Sequence, residues 1–148
     1  MDADPYGLLL RKQLAKMMTN FAINVMGQTP DPTRLDICSQ YIDDVSEEFD
    51  YYLVTACQLG IMGLETDGIT PLLTHNFMAD KIVTRAEFGT VLSRVLWGRA
   101  YDGSIRWYES HLQALKDHDY MQYITEYFAL QTELRGNVWI VLQRVASD

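Results

Sequence analysis

Positive charge is scarce in this chain. Twelve lysines and arginines stand against twenty aspartates and glutamates, a formal charge of −8. Nucleic-acid binding depends on clustered Lys and Arg that neutralise phosphates, so that partner is not expected. Any acidic ligand must be held by local arginines against an unfavourable background field. Long apolar runs are absent too: none approaches the roughly 20 residues of a membrane span, so no membrane-spanning segment is expected. His75, His111 and His118 lack metal-ligand spacing and read as packing or surface residues, so neither metal nor cofactor is expected. Serines, histidines and carboxylates fall in no recognisable nucleophile or acid–base pattern, which predicts a non-catalytic protein. Cysteine is limited to Cys38 and Cys57. They form one disulfide if the chain is exported, or two buried thiols in a reducing compartment.

What the chain does have is repetition. Setting Arg85 over Arg11 and Arg135 aligns three apolar combs: Phe88, Val91, Leu92, Val95; Leu14, Met17, Met18, Phe21; and Val138, Val141, Leu142, Val145. Each has the i, i+3, i+4, i+7 spacing of an amphipathic helix. A second element precedes two of these helices, with Phe49, Tyr52, Leu53 and Ala56 matching Tyr108, His111, Leu112 and Leu115. The unit is helix, loop, helix. Units are expected at about 8–27 (its last helix only), 41–98 and 101–147, with a linker at 28–40. A single unit cannot bury its own apolar face, so the units must pack together. The expectation is one all-α domain over 1–148, with the three Arg-headed helices forming a central three-helix bundle.

Thr84 and Glu87 have the spacing of a capping box, each satisfying a backbone N–H at a helix start. An arginine in the first helical turn is disfavoured by the helix dipole. Its recurrence at Arg11, Arg85 and Arg135 calls for a partner, either an internal carboxylate or a ligand. Trp107, Tyr108 and Tyr101 are the aromatics expected at the surface, where they can stack on a sugar. Asp67-Gly68 and Asp102-Gly103 are turn signals. Asp43, Asp44, Glu47, Glu48 and Asp50 surround a helix start capped by Ser46 and read as a solvated face.

The unit resembles the S-layer homology domain, a module of three such repeats. Asp44-Val45, Gly60-Ile61 and Val83-Thr84-Arg85-Ala86-Glu87 fill the places of its helix start, its Gly-hydrophobic turn and its second-helix motif. The other two units keep only the arginine, within Leu10-Arg11-Lys12-Gln13 and Leu134-Arg135-Gly136-Asn137. The resemblance implies an extracellular anchoring module on the bacterial cell envelope, binding anionic secondary cell-wall polysaccharide in grooves between repeats. It places Arg85 first, then Arg11 and Arg135, against the sugar's acid group, with Trp107 and Tyr108 as candidate stacking residues. Other surface-layer proteins are further partners it allows, and a scaffold that has lost the sugar site is the alternative. An exported location also favours the Cys38–Cys57 disulfide.

Overall fold

The computed structural model describes residues 7–148. The protein is all-α, with no β-structure beyond isolated bridges among the described residues. Its helices are α1 (Arg11–Asn24), α2 (Leu35–Cys38), α3 (Glu47–Gln58), α4 (Arg85–Trp97), α5 (Glu109–Asp117), α6 (Glu126–Ala129) and α7 (Arg135–Ala146).

Local chemistry fixes where these helices begin. Thr84 Oγ1 accepts from Glu87 N–H at 3.2 Å, and Glu87 Oε1 accepts from Thr84 N–H at 3.4 Å. At α3, Ser46 Oγ accepts from Phe49 N–H, with Glu47, Glu48 and Asp50 in the favourable first turn. Leu10, before α1, has no polar side chain, so only half of a box exists there: Gln13 Oε1 accepts from Leu10 N–H at 2.9 Å. The three combs are buried in one core, except Met17 at its edge.

The linker at 28–40 is more structured than expected. Asp31 caps a 3-10 turn at Pro32–Arg34, which runs into α2. Cys38 therefore ends a short helix instead of sitting in a loop. A disulfide joins it to Cys57 of α3 across a Cα–Cα distance of 5.6 Å. Asp43, expected on a solvated face, instead accepts from the Phe77 and Ala79 N–H groups at 2.7 and 2.9 Å, and so fastens the α3 start to the loop before α4.

The three Arg-headed helices meet through a ring at their N-terminal ends. Leu10 bridges Ile82, Thr84 bridges Thr132, and Leu134 bridges Leu8. In the common register, the residue before each arginine pairs with the residue three before the next arginine, and the third pair returns to the first unit. The arginine backbones repeat the pattern: Arg11, Arg85 and Arg135 N–H groups donate to the carbonyls of Lys81, Gln131 and Gly7, each four residues before the next arginine. Among the helices themselves, α1 packs on α4, on which α5 and α6 also lie, while α3 packs on α1. The threefold relation expected of a central bundle is carried by the ring more than by helix-to-helix contact.

Candidate binding clefts between the repeated units

Each arginine side chain reaches into the unit its backbone pairs with. Arg11 donates from Nη1 to Glu87 Oε2 at 2.6 Å and from Nε to the Phe77 carbonyl at 2.9 Å. Glu87 thus caps α4 with one oxygen and holds Arg11 with the other. Arg135 donates to Gln13 at 3.3 Å, and Gln13 occupies in the first unit the place that Glu87 occupies in the second. Arg85 departs from this pattern because Asn137 stands at that place in the third unit. Its acid comes from Glu133 at 3.4 Å, with the Gln122 carbonyl at 3.1 Å. Glu133 is 1% exposed and stands in a register where the other units have Leu9 and Val83. Arg85 and Arg11 are accordingly built into internal ion pairs, and each adds to stability through a partly buried charge-assisted contact.

Two clefts lie beside these junctions. The α4 cleft, about 280 Å³, runs between α4 and the 61–66 loop. It brings Arg11 and Trp107 together, with Lys81, Arg94, Glu65 and Glu87 also in its walls. Thr90, which is buried, offers an Oγ1 without a hydrogen-bond partner there. The α7 groove, about 620 Å³, runs between α1 and α7, with Phe49 at its side. Arg135 and Lys16 line it with four amide side chains, and no carboxylate is among its described lining residues. Lys16 also pairs with Glu48 at the rim. Arg85 lines neither cleft.

Four residues after each arginine stand Ala15, Gly89 and Trp139. Ala15 is fully buried on α1, which α3 packs against; at Gly89 a Cβ would lie 2.1 Å from Leu112 Cδ2 of α5. No described helix packs in this way on α7, and Trp139 is 43% exposed in the wall of the groove.

The expected aromatic pair is split. Trp107 is 40% exposed, whereas Tyr108 is 6% exposed and belongs to the core. Tyr108 opens the apolar comb of α5, and that comb faces inward. Tyr101 is half-buried against Trp97, with ring centroids 5.5 Å apart.

A polar chain between α4 and α5 was not visible in the sequence. His111 Nδ1 lies 2.7 Å from Ser93 Oγ, and Nε2 lies 2.9 Å from Asp102 Oδ1. The same oxygen accepts from Arg94 Nε and Nη2 at 3.2 and 3.1 Å. Hydroxyl, imidazole and carboxylate stand in the order of a nucleophile, base and orienting acid. Ser93 and His111 are both 0% exposed, however, so no substrate reaches the hydroxyl, and the chain ties α4, α5 and the turn between them together. Burial lowers the His111 pKa, with the Asp102 carboxylate opposing in part. At the surface, the Asp67 carboxylate is held at about 2 by the Thr70 hydroxyl and the Ile69 and Thr70 N–H groups.

No family model, curated protein or solved structure matches this chain. Its function is therefore argued from its own geometry. Among the described residues no helix is long and apolar enough to cross a membrane, and no group of three or more His, Cys, Asp or Glu could hold a metal ion.

Proposed function

We propose that the protein is a non-catalytic glycan-binding module of the cell envelope, of the kind the S-layer homology resemblance implies, and that it takes an acidic cell-wall polysaccharide in the α7 groove. The observation that carries this is the composition of that groove. Its described lining residues combine two cations, Arg135 and Lys16, with four amide side chains and the half-exposed indole of Trp139. A guanidinium suits a sugar carboxylate because it offers two parallel donors. The Cys38–Cys57 disulfide fits an oxidising, extracellular location.

Arg135 lines this groove, whereas Arg85 lines neither cleft. Arg85 is engaged by Glu133 and the Gln122 carbonyl, and its side chain is 17% exposed. The α4 cleft, with Arg11 and Trp107, is a second and narrower place for the same ligand class.

The test is co-sedimentation of the protein with purified anionic cell-wall polysaccharide across a salt series. Arg135→Gln is expected to lower retention at least tenfold at low salt and to flatten the salt dependence, with unchanged helical circular dichroism. A folded wild type that stays in the supernatant at every salt concentration refutes the reading. The exposed aromatic cluster of Tyr123, Tyr127 and Phe128, with centroids 5.1 to 5.3 Å apart, favours a second reading: attachment to other surface-layer proteins. Enlarged patches of this kind mark protein contacts.

A further inference from the structure

The α7 groove is polarised along its length. Its lining residues on α7 run from Arg135 to Ala146, which at about 1.5 Å per residue is roughly 16 Å. That is longer than one sugar ring. The inner end, next to the ring of bridges, holds Arg135, Gln13 and the N-termini of α1 and α7, whose dipoles add positive potential. The outer end has no charged residue among its described lining. It is walled by Asn20, Asn24 and Gln143 over Phe21, Val25 and Leu142.

Trp139 stands between these two ends. Its place in the repeat decides what can lie beside it. Where α4 has Gly89, the neighbouring Leu112 leaves no room even for a methyl group, and where α1 has Ala15 the side chain is fully buried. An indole at that position keeps a repeat-type helix from packing on α7 at the distance used by α3 and α5. What remains is a half-exposed aromatic face bordered by amides, the combination that binds a neutral sugar by stacking and hydrogen bonding.

Resting on the glycan reading above, we infer that the groove is bipartite: Arg135 and Lys16 take the acidic sugar, and Trp139 with Asn24 and Gln143 takes an adjoining neutral sugar. Trp139 is then a specificity-determining residue that separates a mixed acidic and neutral glycan from a polyanion of the same charge.

The experiment compares the native anionic polysaccharide with the same material after its carboxyl groups have been reduced to alcohols. The wild type is expected to keep a weak, salt-independent affinity for the reduced polymer. Trp139→Ala should abolish that affinity and weaken binding to the native polymer about tenfold while leaving its salt dependence intact. Trp139→Tyr should restore most of both, and Arg135→Gln should spare the reduced polymer. Native binding by Trp139→Ala equal to wild type overturns the inference alone. Absence of native binding by the wild type overturns the broader reading and the inference with it. A salt-dependent loss in Trp139→Ala would show that the indole acts only by positioning Arg135, and would also overturn the neutral subsite.

Discussion

The α4 cleft and the α7 groove are the same junction built twice. Each has an arginine at its head and an aromatic from the next unit's opening segment, Trp107 in one and Phe49 in the other. They differ at two places in the register. Glu87 faces Arg11 where Gln13 faces Arg135, and the position four residues after the arginine holds buried Ala15 on α1 and half-exposed Trp139 on α7, as it holds Gly89 beneath α5 on α4. The first is a narrower cleft with Glu65 and Glu87 beside its cations; the second is wider, with amide side chains and Trp139 in its walls.

The sharpest way to break that comparison is to exchange the residues at the close approach. Gly89→Trp should overpack the α4–α5 contact and cost on the order of 3 kcal/mol or more, read as a lowered denaturant midpoint. Trp139→Gly, on a half-exposed face, should cost less, through lost apolar contact and the helix-propensity penalty of glycine. Equal costs would remove the distinction between a packed and an open junction.

Acid should weaken the α4–α5 junction before the α1–α3 junction. Only the former buries a histidine; the α1–α3 places equivalent to Ser93 and His111 hold Thr19 and Tyr52. His111 has its folded pKa below the ordinary value of 6.5, so the unfolded chain binds the proton more readily. Its effect on stability is absent well above pH 6.5 and grows unfavourable as pH falls from 6.5 toward the lowered folded value. Amide exchange should therefore show α5 opening earlier than α3 on acidification, and His111→Gln should reduce the gap. The Asp67 turn behaves differently: its lowered pKa stabilises fully above about 3.8, and that contribution is lost as pH falls through about 2.

The smallest stability effect belongs to the charge exchange. Gln13→Glu places the acid of the α4 cleft in the α7 groove. Stability should change by less than about 1 kcal/mol, since partly solvated pairs contribute little. Retention on anionic polysaccharide should nevertheless fall several-fold. Unchanged retention would separate the groove's charge from its binding.

Much of the architecture was legible in the sequence because apolar spacing is a local signal. The combs from Phe88 to Val95 and from Val138 to Val145 needed only a helical period and a shared arginine to be placed in the core. The partners of those arginines were not legible. Glu87 read as a helix cap, and nothing local shows that its second oxygen holds Arg11, 76 residues away. Glu133 did leave a trace, an acid in a column otherwise occupied by Leu9 and Val83, but that column acquires meaning only once the ring is seen. Asp43 misled because acids before a helix usually face water, whereas its bonds go to Phe77 and Ala79. Tyr108 misled because it flanks a helix start yet opens the buried comb of α5. Trp139 was passed over because it falls outside the comb. Its importance comes from the small residues, Ala15 and Gly89, that hold its place elsewhere.

The ring of bridges also has a consequence for the order of assembly. Two of its joints, Leu10 with Ile82 and Thr84 with Thr132, link each unit to the one that follows it along the chain. The third, Leu8 with Leu134, closes a loop of 126 residues (134 − 8). Loop-closure entropy grows only with the logarithm of length, so this last joint costs little more than the other two, but it cannot form until the segment around Leu134 has left the ribosome. Until then the α7 groove does not exist, because its two walls, α1 and α7, are the most widely separated helices in the sequence.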